Sequence, residues 1–422
     1  MAALADVAAD LEAVSAVLKE WYIGPTAEQL NQEVMVTQLL GVSSENLEGL
    51  KAVLPLHTAR SGGIGARRER AELPKAGKQG YGRAEYDLKY HYARAEVTGQ
   101  AIQRTQSDRG AFLQAFKSEL SFIRKDIQLD MARQFYGDGS GVVATVLSEA
   151  TPVLTLDSAE PLVKGFLYVG FVADGGTAAD PTAHFTEAAV IDVDVDNAQV
   201  TFGTPVSGTI AAADSSTVLV RSGNVADSTD PAEVDEIDSG LRAIIGSGEL
   251  GGIDPSDSGK GFWQGIVENP SGTGPTLDIL QRAYNRVNNA GGRADSVVVM
   301  TTPGMVRELF SSADFSDNVR FVNSTTLRGG FEELSFAAGA GPMKINADRL
   351  APWGEILFVD KAHIQAYSPA EWDFLSRDGL SVRWVPDYDA FQSLLFRYLN
   401  LGADRRNTSM RLTGMTDDVD GF

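Results

Sequence analysis

The sequence predicts an α+β chain of more than one domain, and three observations carry that prediction. Glu85 to Tyr92 alternates polar and apolar residues at period two, which marks a strand. Phe112, Phe116, Leu120, Ile123, Ile127, Met131 and Phe135 recur every three or four positions, which marks one long amphipathic helix. Val142 to Val225 is rich in short β candidates, and a mixed helix-and-strand pattern follows from Gly274. With 422 residues, the chain is long enough for two or three domains.

In chain order, Leu4, Val7, Leu11, Val14, Leu18 and Trp21 space a first helix that Gly24-Pro25 stops. Thr26 caps a second helix ending near Gly41, and Ser43 or Ser44 caps a third ending before Pro55. Ala59 to Ala66 reads as a Gly/Arg loop, Arg67 to Leu73 as a strand, and Pro74 to Gly82 as a polar turn. Tyr86, Leu88, Tyr90 and Tyr92 then share one face of the next strand, opposite Glu85, Asp87, Lys89 and His91. Together these segments predict a long, basic β-hairpin, which is marginal in water unless something lies against it.

Ser107 or Asp108 caps the long helix. Gly137 closes it, and Tyr136-Gly-Asp-Gly-Ser-Gly141 is a tight loop. Leu167–Ala173, Ala188–Asp196, Ala198–Gly203 and Ser216–Ser222 read as strands of a small β-domain or insertion. Asp227 to Gly261 reads as an acidic surface loop with a short helix near Leu241 to Ile245. Pro275-Thr276 opens a helix that Gly291-Gly292 closes, Ser296 to Met300 is a strand, and Pro303 starts another helix. Later strands fall at Glu355–Asp360 and Leu380–Val385. Ala390–Leu401 reads as a strand, with a helix as the alternative.

Composition narrows the chemistry. There is no cysteine, which excludes disulfides, thiolate nucleophiles and Cys-ligated zinc. The N-terminus lacks the basic start of a secretory signal, and no apolar run approaches a membrane span. The net charge of −21 does not attract nucleic acid globally. The charge is uneven: 11 Lys/Arg face 6 Asp/Glu from Ala59 to Arg109, whereas 4 face 19 from Glu149 to Lys260. Such sign asymmetry can set contacts between neighbouring copies.

No catalytic, metal or cofactor constellation emerges. His57, His91, His184 and His363 share no ligand spacing. Gly246-Ser-Gly-Glu-Leu-Gly251 matches G-x-G-x-x-G, but Gly252-Ile-Asp-Pro breaks the helix that a dinucleotide loop must open. Gly259-Lys260 lacks the earlier glycine and the following Ser/Thr of a P-loop. Asp192-Val-Asp-Val-Asp-Asn197 starts like a calcium loop, but Asn197 and Gly203 stand where Gly and Glu are required. Aspartates alternating with valines instead mark the wet face of a half-buried strand.

The order of these elements resembles the major capsid proteins of tailed bacteriophages, which share the Johnson capsid fold. The resemblance is carried by the basic hairpin, the long helix ending in Phe135-Tyr136-Gly-Asp-Gly-Ser-Gly141, and the β-rich and α/β stretches. The tail with Arg405-Arg406 and Met410-Arg-Leu-Thr-Gly-Met415 completes it. It implies N-arm helices over 1–56, an E-loop hairpin over 57–106, and a spine helix with the start of a peripheral domain over 107–145. A β-rich acidic insertion would span 146–235, an axial domain 236–350, and returning peripheral strands with a C-terminal axial segment 351–422.

The implied role is a structural subunit, not an enzyme, that assembles through pentamers and hexamers into an icosahedral head around double-stranded DNA. Scaffold, portal and decoration proteins are the implied partners. The DNA is enclosed rather than read, and no membrane is involved. The implied place is the virion, after synthesis in a bacterial cytoplasm. Arg67, Arg68, Arg70, Lys75, Lys78 and Arg83 are the candidate inter-subunit contacts. Lys75 and Lys78 sit at the hairpin tip, where some family members cross-link a lysine, but no partner asparagine or catalytic acid matches here. Two other readings stand beside this one. One is a nanocompartment shell of the same fold; the other is a β-rich phage tail glycan-binding protein, suggested by the Asp-rich strands.

Overall fold

A computed structural model of the chain describes residues 36–45, 47–100, 109–159, 161–174, 177–195, 197–210, 213, 215, 217–227, 230–270, 272–311, 334–337, 342–375, 382–385 and 388–417. The helices expected before Val36 and the cap at Ser107 or Asp108 lie outside these residues. The chain divides into two compact units. One takes Lys89–Ala132 and Ser368–Leu399; the other takes Val36–Leu88, Arg133–Tyr367 and Asn400 onward.

In the larger unit, β1 (Lys51–Ala59) pairs antiparallel with β2 (Gly80–Asp87). This corrects two expectations. The segment before Pro55 is strand rather than a third helix, and Arg67–Leu73 is not the outgoing strand but part of the loop. Pro55 misleads because proline also ends helices. Among the described residues, however, β1 beyond Ala52 pairs with β2 alone, and a strand with one open side tolerates a residue that lacks an N–H. Ala52, Leu54, Leu56, Ala84 and Tyr86 are buried along this hairpin. Tyr86 donates to the Ala403 carbonyl at 2.9 Å, and burial pushes its phenol above the ordinary range.

The expected Tyr86–Tyr92 face also breaks. Tyr86 and Leu88 are buried, but the strand is interrupted at Leu88, and β3 (Lys89–Thr98) starts in the opposite phase. Tyr90 and Tyr92 are therefore exposed, while His91, Ala95 and Val97 are buried.

In the smaller unit, β3 pairs antiparallel with Ala390–Leu399 of a longer strand, which resolves the helix-or-strand alternative there. α1 (Arg109–Tyr136) supplies Leu129, Met131 and Ala132 to the buried side, while Leu120, Ile123 and Ile127 are half-buried. His91 sits opposite Arg397, and its Nε2 has no hydrogen-bond partner. Burial, with Arg397 and Lys89 beside it, pulls its pKa down to about 4, and only Asp130 opposes that. The folded state therefore keeps His91 neutral where the unfolded chain takes up a proton. Stability falls as pH drops from about 6.5 towards 4, by roughly 3 kcal/mol for a shift of this size. The chain carrying His91→Leu is expected to lose less melting temperature than the native chain between pH 7 and pH 4.5. Equal losses would contradict the assignment.

The four predicted β candidates become four strands of a barrel in the larger unit. Its strands are β4 (Val142–Ala150), β5 (Val153–Leu156), β6 (Leu167–Asp174), β7 (Thr177–Asp194), β8 (Gln199–Phe202), β9 (Ser207–Gly208) and β10 (Thr217–Arg221). The order β8-β5-β4-β10-β6-β7 closes on itself because β8 also pairs with β7, and β9 extends β7. Closure leaves no free edge among those six strands. Alternation points Val146, Leu154, Leu156, Tyr168, Phe185, Val190, Val200 and Phe202 into one core. Asp192 and Asp194 face water, as expected of a half-buried strand, and Asp194 accepts from the Asn197 backbone and side-chain amides at the turn.

The larger unit also holds a six-stranded mixed sheet, with Leu334–Ala337 at one edge beside Pro342–Ala347. Val297–Thr301 lies between Pro342–Ala347 and Ile356–Asp360, and Met410–Leu412 and Ile266–Glu268 continue the sheet on the Ile356–Asp360 side. Ile356–Asp360 thus lies in the same sheet as Val297–Thr301. Leu277–Asn289 packs on this sheet through Leu280, Ala283, Tyr284 and Val287. Thr276 caps that helix by accepting from the Ile279 amide at 3.3 Å, as Pro275-Thr276 predicts.

Candidate assembly surface

The loop between β1 and β2 spans residues 60–79 without a regular strand. Its base is pinned by one side chain: Gln79 Oε1 accepts from the Ser61 amide at 3.1 Å and lies 2.8 Å from His57 Nε2. Its two arms meet at Gly63 and Gly77, where a Cβ on Gly77 would come within 2.6 Å of Ser61 Oγ. A second turn forms at Arg68–Ala71, with Arg70 at a φ of 61°. A residue in the left-handed region does not continue a strand, which explains why Arg67–Leu73 is loop.

All six candidate contact residues, Arg67, Arg68, Arg70, Lys75, Lys78 and Arg83, are exposed. The first five lie in the loop. Arg83 lies on β2 and pairs with Glu85 at 2.8 Å. Among the described residues, the other five make no ion pair within the chain. Ile64 and Leu73 of the same loop, and Tyr81 beside it, are 87%, 79% and 78% exposed. Cationic and large apolar side chains thus project together from a segment tied at its base.

The other sequence motifs lie elsewhere and have local uses. His57 meets Gln79, His184 Nδ1 lies 2.9 Å from Thr217, and His363 pairs with Asp404 at 2.8 Å. No group of three His, Asp or Glu able to hold a metal occurs among the described residues. In the Gly246–Gly251 run, the carbonyls of Gly246 and Gly248 face inward and accept from Arg406. A phosphate would need amides there.

Arg406 is the residue that sequence reading missed. It is 1% exposed and donates to five carbonyls, those of Ala243, Ile244, Gly246, Gly248 and Trp263, at 2.8 to 3.0 Å. Its guanidinium also lies 5.8 Å from the Trp263 ring. Burial lowers its pKa to about 10. Leu241, Ile244, Ile245 and Trp263 are buried around it, so the expected surface loop is here a packed one.

No protein-family model matches the chain, and the curated proteins contain no match. Solved structures do match. The cyanophage A-1(L) capsid asymmetric unit aligns with a TM-score of 0.55 at 11% identity, covering 97% of this chain and 99% of that one. The chain has the fold of a phage capsid subunit. Two further matches are the capsid of a native GTA particle, with a TM-score of 0.48 and 9% identity over 96% and 100% of the two chains, and the SrpI encapsulin of Synechococcus elongatus PCC 7942, with 0.45 and 9% over 96% and 95%. On this capsid fold, the projecting loop of residues 60–79 combines exposed cations with exposed apolar side chains.

Proposed function

We propose that the chain is the major capsid subunit of a tailed bacteriophage, assembling through pentamers and hexamers into an icosahedral head around double-stranded DNA. The observation that carries this is the capsid fold over nearly the whole chain. The loop supports it: Ile64 and Leu73, exposed beside five cations that make no ion pair within the described residues, suit a neighbour better than water. In this reading β1, β2 and their loop form the E-loop, α1 is the spine helix, and the barrel is an insertion between the peripheral and axial domains. The loop cations, with Arg83, meet acidic surfaces of adjacent copies. The acidity of the chain suits a container, since a strongly basic wall would hold packaged DNA along its length. Virion location and scaffold, portal and decoration partners follow from the same reading, as does a structural rather than enzymatic role.

The test is sedimentation of the purified chain over a concentration series. Rings or closed particles are expected to form in a concentration-dependent step. A monomer at every concentration, with or without a co-expressed scaffold, would contradict the proposal.

A further inference from the structure

The outer surface of the barrel has two unlike halves. Across β6 and β10, Val169, Phe171, Val218 and Val220 form a buried apolar layer against which Val142 of β4 packs. Across β4, β5, β8 and β7 the outer face is more open. The strand registers put Ser148, Thr155, Gln199 and Asp194 in one row, with Val153, Thr201 and Asp192 in the next. Register shifts in β4 and β7 turn Leu147 and Ile191 outward beside these rows, leaving them 56% and 51% exposed. Bulges re-aim side chains in this way. The result is a polar face with an apolar residue at each side and two exposed aspartates.

Charge selects what this face can meet. Residues 142–221 hold ten carboxylates against Lys164 and Arg221. A second barrel or a nucleic acid would bring like charge to it. A fitting partner carries cations and apolar side chains on one short segment. Residues 60–79 carry six Lys/Arg against Glu69 and Glu72, together with exposed Ile64 and Leu73.

We propose that the open barrel face receives the 60–79 loop of a second copy of the chain. This rests on the shell reading and names the surface that the loop meets. Leu73 and Ile64 lie against Ile191 and Leu147, and the loop cations face Asp192 and Asp194.

The chain has no cysteine, so single cysteines give a clean test. Chains carrying Leu73→Cys and chains carrying Ile191→Cys are mixed, assembled and oxidised. A disulfide-linked dimer of one of each is expected. Asp192→Arg is expected to lower assembly at least tenfold with an unchanged melting temperature, and Arg67→Glu with Arg68→Glu on the loop is expected to restore part of it. Normal particles with no mixed disulfide, together with native-like assembly of the Asp192→Arg chain, would overturn the contact and leave the shell reading standing. If the native chain forms no particle under any condition, the shell reading fails and this contact fails with it.

Discussion

Replacing Arg406 with alanine is expected to destabilise the larger unit by roughly 3–5 kcal/mol, as for breaking a buried charged network. Five carbonyls lose the guanidinium at once: those of Ala243 and Gly246 keep a backbone amide, while those of Ile244, Gly248 and Trp263 lose their Arg406 donor, and Trp263 loses the group beside its ring. The expected fall in melting temperature is on the order of 10 °C. Arg406→Lys is expected to recover little, because an ammonium has three donors on one point and cannot span five acceptors set around a planar fork. Proteolysis should then cut first between Gly246 and Phe262, the stretch whose carbonyls Arg406 gathers. A lysine variant melting at the native temperature would show that charge, not fork geometry, holds this region.

The second large effect belongs to the loop. Changing Arg67, Arg68, Arg70, Lys75 and Lys78 to glutamate replaces five exposed cations with five anions. Exposed side chains without partners contribute within about 0.5 kcal/mol, so the monomer should melt as the native chain does. Assembly should fail, because like charges facing each other across an interface cost several kcal/mol and each 1.4 kcal/mol is about tenfold in association. Native assembly should also weaken as salt rises, since exposed charges are screened beyond ~8 Å at physiological ionic strength. Normal particles from the reversed chain would remove the loop from the assembly surface.

The legible parts of the fold were those written in local pattern. The barrel strands at Leu167, Ala188, Ala198 and Ser216 alternate within a few residues. The helix after Thr276 has its cap beside it, and Tyr136-Gly-Asp-Gly-Ser-Gly141 carries its turn in its glycines; Gly139 has a φ of 88°. The misread parts depend on distant partners. Pro55 reads as a helix stop until β2 is seen beside it. Tyr90 and Tyr92 continue the Tyr86 pattern in sequence, but the interruption at Leu88 reverses their phase. The Gly- and Asp-rich stretch near Gly246 looks like surface because the side chain that packs it, Arg406, lies about 160 residues away. The candidate contact residues were legible as a basic run, but their support by Gln79 and the Gly63–Gly77 approach was not.

The most direct measurement is negative-stain electron microscopy of the purified native chain, assembled alone or with a scaffold. Uniform rings of five or six copies and closed icosahedral shells are expected. A field of dispersed single chains under every assembly condition would contradict it.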